Sequence, residues 1–264
     1  MADEGGAWIS ACVYHSGGLD GLIRDVVAPL AVEAALDRCF FVRAWEGGQH
    51  LRIGLRSRTD GARLRRLVEK RAVAYFEDHP APGNRLRFVN HRAELYGDAA
   101  CLQAVERHFT ESSTIALDVL AHSLGPGRRA AAGLAALTLT LAALEYDPGR
   151  APGGLRLPPP RPGEPARWLR ELWKVPDGGV LEGWYTSVLG LRQRLEELNP
   201  APAVPESPLS FLAQALSPAG HAVSLILLRC AHLLNNRLGV PVAAEPRLAA
   251  FAVRALREVR GVAR

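Results

Sequence analysis

Three short stretches in the first quarter of the chain read as strands: Ala7 to Tyr14, the aromatic and β-branched run Cys39 to Trp45, and His50 to Arg56. The last two are separated by Glu46-Gly47-Gly48-Gln49 and form a hairpin. Gly18 to Arg38 and about Asp60 to Phe76 carry helical periodicity. A Pro/Gly loop from His79 to Gly83 then leads to a strand from Arg85 to about Glu94. The order is βαββαβ, the split βαβ arrangement of ferredoxin-like sheets.

Beyond Asp98 the pattern turns helical. Asp98 to His122 and Arg128 to Glu145 come first, the latter so rich in Ala and Leu that it predicts burial on most sides. Pro148 to Pro165, with Pro158-Pro159-Pro160 inside it, reads as a stiff connector or surface flap. Helices are expected at about Pro165 to Lys174, Leu181 to Leu198, Ser217 to Leu238 and Glu245 to Val262, with a second proline-rich gap from Pro200 to Pro208. The expected fold class is α+β. A ferredoxin-like βαββαβ sheet layer in about residues 1–97 packs against a mostly helical half, 98–264, the whole forming a single domain over 1–264.

Composition narrows the function classes. With 48% hydrophobic and 22% charged residues the chain is globular, and no apolar run approaches the roughly 20 residues of a bilayer crossing. The acidic start Met-Ala-Asp-Glu argues against Sec export, and a cytoplasmic, membrane-free protein is expected. Cys12, Cys39, Cys101 and Cys230 lie far apart and predict buried thiols, with neither a zinc framework nor a disulfide scaffold. The net charge of +5 rests almost wholly on arginine, since lysine occurs only at Lys70 and Lys174. That bias reads first as high-GC codon usage. No basic run interleaved with aromatics suggests nucleic acid. P-loop, dinucleotide, GxSxG and HExxH motifs are absent, so no metal or organic cofactor is expected.

Two groups of residues could carry chemistry. In His50 to Arg56, Leu51, Ile53 and Leu55 point one way and His50, Arg52, Gly54 and Arg56 the other, giving a cationic face with a gap at Gly54. It is either a solvated sheet face or one wall of a site. The helix from Ser217 to Leu238 has no polar side, yet Arg229, His232 and Asn236 fall on one stripe, with Arg237 close by. Those residues are either a structural network or the lining of a pocket in which His232 exchanges protons near neutral pH.

Trp8-Ile9-Ser10 with Tyr14, Cys39 to Arg43 leading to His50-Leu51-Arg52, Ala93 to Gly97, Val105 to Phe109 with Ser112-Ser113, and His232 to Gly239 occur in this order. In that order they resemble the carboxyl-terminal elimination domain of lanthipeptide dehydratases, over nearly the whole chain. Standalone members of that superfamily serve thiopeptide biosynthesis in two ways. One kind eliminates glutamate from glutamylated serines to give dehydroalanine. The other, the pyridine synthases, joins two dehydroalanines by a formal four-plus-two aza-cycloaddition and expels water and the leader peptide.

The departures choose between them. Glutamate-eliminating members resemble His-x-Arg-x-Arg in the hairpin strand and Glu-Arg-Tyr-Gly later, where the arginines hold the glutamyl group. This chain has Arg52 followed by Gly54, and Leu95 before Tyr96-Gly97, while His232 of His-x-x-x-Asn-Arg remains. The resemblance therefore implies a pyridine synthase, with its site between the hairpin face and the Ser217 to Leu238 helix. His232 is the implied proton-transfer residue, and Arg52 and Asn236 orient amide oxygens. Tyr185, Glu94, His50 and Ser224 are further proton-shuttling candidates. Arg43, Arg56 and Arg229 are candidate substrate-binding cations. The implied substrate is an azole- and dehydroalanine-bearing precursor peptide with its leader, other pathway enzymes being possible partners. The helix bearing Arg63, Arg65, Arg66, Lys70 and Arg71 is a candidate leader surface, though a solvated face is the commoner role for such a run. Two alternatives stay open: glutamate elimination using other cations such as Arg43 or Arg56, and a non-catalytic leader-binding partner protein.

Overall fold

The computed structural model describes residues 7–33, 36–57, 60–90, 96–122, 125–150, 178–201, 207–216 and 220–260. The chain divides into two compact units, Met1–Ala93 and Glu94–Arg264.

The first unit is built on a four-stranded antiparallel sheet of β1 (Ala7–Tyr14), β2 (Arg38–Ala44), β3 (His50–Ser57) and β4 (Arg85–Val89), in the order β2-β3-β1-β4. With its helices it is the ferredoxin-like arrangement expected from the sequence. β1 and β3 lie side by side in register Ser10 to Gly54 and Cys12 to Arg52, and β2 adds Phe40 opposite Gly54. Alternation then sorts every side chain. Ala11, Val13, Phe41, Leu51, Ile53 and Leu55 are all fully buried on the face that the helices cover.

Two helices pack on that face. α1 is a continuous helical run of Leu19–Leu22, a π turn Ile23–Val27 and Ala28–Glu33. The π turn has a local cause: Pro29 lacks an N–H and its ring would meet the carbonyl a turn earlier, so the widened turn just before it relieves the clash. α2 (Gly61–Asp78) begins at Asp60, whose Oδ1 accepts the Ala62 N–H at 2.8 Å, and buries Leu64, Val68, Ala72 and Tyr75. The β2–β3 hairpin closes through Gly47 and Gly48, at φ 71° and 112°, a conformation that only glycine holds without strain.

The second unit is helical in its described residues: α3 (Ala99–Ala121), α4 (Pro126–Ala143), α5 (Gly178–Leu198), α6 (His221–Leu238) and α7 (Glu245–Arg260). α4 packs against α5, α6 and α7, which explains the apolar residues on most of its sides. Trp184 of α5 is fully buried against it, donating Nε1–H to the Ala136 carbonyl at 3.0 Å. Short 3-10 turns at Ser210–Ala215 and Val242–Ala244 had no counterpart in the sequence reading. β4 is shorter than expected, and no described helix is long and apolar enough to cross a membrane. The expected helix from Pro165 to Lys174, most of the Pro148 to Pro165 connector, and Glu94 and Leu95 lie outside the described residues.

Candidate functional site

The residues singled out in the sequence are divided between the two units. In the helical unit, α6 ends on Gly239 at φ 76°, with the Gly239 and Val240 N–H groups donating to the Asn236 and Asn235 carbonyls at 3.0 and 2.9 Å. This left-handed C-cap reverses the chain, and the 3-10 turn that follows sets Glu245 down as the first residue of α7, beside the helix it has just left.

The consequence is a buried His–Glu pair. His232 Nδ1 lies 3.0 and 2.9 Å from the two Glu245 oxygens, with His232 8% and Glu245 1% exposed. A carboxylate only accepts, so Nδ1 carries the donated hydrogen and the lone pair of the neutral ring is at Nε2. Nε2 has no hydrogen-bond partner among the described residues. The Glu245 carboxylate is stabilised a second time by Asn235 Nδ2–H at 3.1 Å, and a third time by its place in the first turn of α7. An imidazole with one nitrogen held by a buried carboxylate and the other open is built to take up and return a proton.

Around His232 the stripe is real but unequal. Arg229 and Asn236 are half-buried on the same side of α6. Arg237 is fully buried elsewhere, donating from Nη1 to Ser112 Oγ at 2.9 Å beneath the Phe109 ring. Ser224, a shuttling candidate, spends its hydroxyl on the Gly220 carbonyl at 2.9 Å, a bond local to the helix. Tyr185 is half-buried on α5 next to the inward-facing Trp184. Glu245 is the residue sequence reasoning missed: an acidic residue opening a helix looks like ordinary dipole complementarity.

In the sheet unit, His50, Arg52, Gly54 and Arg56 share the face opposite the helices, as alternation requires. Strand pairing adds Trp8, Cys12, Tyr14, Arg38, Phe40, Arg85 and Arg87 to it. His50 is buried, stacked on Tyr14 at 4.4 Å, with Nδ1 donating to the Gly48 carbonyl at 2.8 Å. Arg85 lies over the other partner of that stack, 3.7 Å from the Tyr14 ring centre. Arg52 is half-buried and makes no hydrogen bond or ion pair among the described residues. Together with Arg87 it pulls the Cys12 thiol down, but burial outweighs both and the thiol sits above its usual range.

Two expected cations sit differently from Arg52. Arg43 points to the helix-covered face, where it meets Asp20 of α1 at 2.6 Å, because it is an odd number of residues from the Phe40 that opposes Gly54. Arg56 lies 3.8 Å from Asp37, which also holds Arg38 at 3.1 Å. Gly54 has a neighbour that explains it. A Cβ there would lie 2.6 and 2.7 Å from the Phe40 ring, which is itself tilted against Trp8 at 5.5 Å. The gap in the cationic face is filled by an aromatic ring.

The family model for the lantibiotic biosynthesis dehydratase C-terminal region matches residues 8–256. The chain belongs to that family. Solved structures agree on the fold. The tRNA-dependent lantibiotic dehydratase MibB from Microbispora sp. 107891 superposes with a TM-score of 0.65 at 20% identity, over 98% of this chain and 29% of its own, so the chain spans under a third of MibB. The pyridine synthase TbtD from thiomuracin biosynthesis gives 0.63 at 18% identity, over 97% of this chain and 99% of its own. TsrL gives 0.63 at 19%, over 98% and 96%. No curated protein sequence matches the chain significantly. In this lantibiotic dehydratase C-terminal family member, the His232–Glu245 pair and the aromatic-filled face at Gly54 are the features on which a functional reading rests.

Proposed function

We propose that this protein is a pyridine synthase: it joins two dehydroalanines of a leader-bearing, azole-containing peptide and releases water and the leader. The observation that carries the reading is the Phe40 ring over Gly54. In glutamate-eliminating relatives that strand position resembles an arginine that grips the glutamyl carboxylate. Here a side chain at residue 54 would collide with Phe40, so the missing guanidinium is replaced by a flat apolar surface suited to a neutral peptide. Losing a charge-assisted hydrogen bond to glutamate forfeits roughly 1.5 to 3 kcal/mol, which argues against elimination.

The chemistry asked of the chain is proton transfer. An amide N–H must be removed and its oxygen protonated to give the iminol whose C=N, conjugated with one alkene, adds across the second. His232 Nε2 accepts the first proton and returns it to oxygen while Glu245 steadies the imidazolium. Loss of the hydroxyl as water, then of the leader as a carboxamide, leaves the aromatic ring. Asn236, on the same side of α6 as His232, orients an amide oxygen, Arg52 of the sheet unit is a further candidate for that task, and holding both alkenes together lowers the entropic part of the barrier. The buried, carboxylate-held His232 favours catalysis over a purely leader-binding role.

Two substrates offered side by side test the assignment. A peptide carrying azoles and dehydroalanines is expected to be consumed, and a glutamylated serine peptide to come back unchanged. Elimination of glutamate from the second, with the first untouched, would refute it.

A further inference from the structure

We infer that Gly133 and Asn235 are positioning residues for His232, acting through Glu245; the inference rests on the reading of His232 as the proton-transfer group. Asn235 is 1% exposed and donates Nδ2–H to Glu245 Oε1 at 3.1 Å, while its Oδ1 is buried with no hydrogen-bond partner among the described residues. The amide has only one workable orientation, because a carboxylate accepts and cannot donate, so Oδ1 must face away from Glu245. It faces Gly133 of α4. A Cβ on Gly133 would lie 2.2 Å from Asn235 Oδ1 and 3.3 Å from its Cγ. Any side chain at residue 133 would push the amide off the carboxylate.

Each residue is a poor choice for stability where it stands. Glycine is the weakest helix former after proline, and Gly133 lies inside α4. Asn235 sits on a buried helix with a stranded carbonyl that an apolar side chain would not have. Two local sacrifices converging on one carboxylate indicate a demand other than stability. The geometry states that demand. His232 and Asn235 are one helical turn apart on α6 and both donate to Glu245, and Asn235 fixes Oε1, which His232 also contacts. With only one donor the carboxylate could turn about its last torsion and carry the imidazole with it. With two, the plane of the carboxylate and the direction of Nε2 are set.

A double-mutant cycle tests this on the full-length protein: wild type, Gly133→Ala, Asn235→Ala and the double variant. The readouts are kcat, KM and the proton resonance of the His232 Nδ1–H, assigned by its loss in His232→Phe. Gly133→Ala is expected to lower kcat about tenfold or more, the scale of a misplaced catalytic group, and to shift the Nδ1–H resonance. Asn235→Ala should do the same. The double variant should be no worse than Asn235→Ala, because alanine at 235 leaves room for the new methyl group. An unmoved resonance in Asn235→Ala, or full additivity in the cycle, overturns the inference. Asn235→Ala adds no atoms, so it carries the test if Gly133→Ala does not fold. The resonance is read without substrate, so a failed pyridine assay and a failed positioning claim are told apart.

Discussion

His108 and His232 are both buried imidazoles of the helical unit, and their partners give them opposite characters. His108 Nδ1 donates to Ser187 Oγ at 2.7 Å, Ser187 donates on to Glu111, and Nε2 is buried with no partner among the described residues. Burial, with the Arg237 charge adding to it, pulls the His108 pKa down to about 3. In the unfolded chain the same ring titrates near 6.5, so between about 6.5 and 3 the unfolded state binds the extra proton. The stabilisation is present above that window and falls with pH through it, at up to about 1.4 kcal/mol per pH unit. His108→Phe should flatten the acid limb of a stability-against-pH curve measured by urea unfolding. His232, held by a buried carboxylate, is instead a candidate catalyst. His232→Phe, close in volume, removes one of the two donors to the buried Glu245 carboxylate, so it should lower the melting temperature while leaving the fold intact, and reduce turnover about 100-fold, the scale of one general acid–base group. Turnover at the wild-type rate would make His232 structural. At this scale the sequence was only half legible. The apolar run around His232 announced a buried ring, but Glu245 reaches it only because Gly239 turns the chain back.

The strands and long helices follow from their periods, and their register explains what the pattern alone left open. Alternation put His50, Arg52 and Gly54 on one face, yet only the pairing of Phe40 with Gly54 shows what fills the gap. The π turn of α1 was not legible, because it depends on the Pro29 ring meeting a carbonyl and not on hydrophobic spacing. α2 is the densest cationic element. Arg63, Arg65, Arg66 and Lys70 are exposed on it, and the pairs Arg65–Glu69 and Arg66–Asp60, at 3.7 and 3.8 Å, are weak surface contacts that leave the charges available. Arg65 also lies 4.1 Å over the Phe88 ring, which steadies its guanidinium. If α2 receives an acidic leader, reversing Arg65 and Arg66 to Glu raises KM more than it lowers kcat, and wild-type binding weakens as salt rises from about 50 to 300 mM. Affinity indifferent to both changes would place the leader elsewhere.

On the scale of the whole chain, family membership and the ferredoxin-like sheet were legible because short motifs kept their order and the βαββαβ pattern has few foldings. The proposed choice between pyridine formation and glutamate elimination rests on an absence, an arginine missing at Gly54, and the structure adds that the Phe40 ring fills that gap. A net charge of +5 fits an acidic peptide partner. The central claim of the proposed function concerns one bond. Forming the pyridine breaks the N–C bond that joins the leader to the core, and the nitrogen leaves with the leader. The direct measurement is the mass of the leader fragment after the purified protein meets a dehydroalanine-bearing precursor: a leader ending in a carboxamide is predicted, alongside a smaller aromatic macrocycle. A precursor recovered whole, with its dehydroalanines unjoined and no carboxamide leader released, would contradict the account.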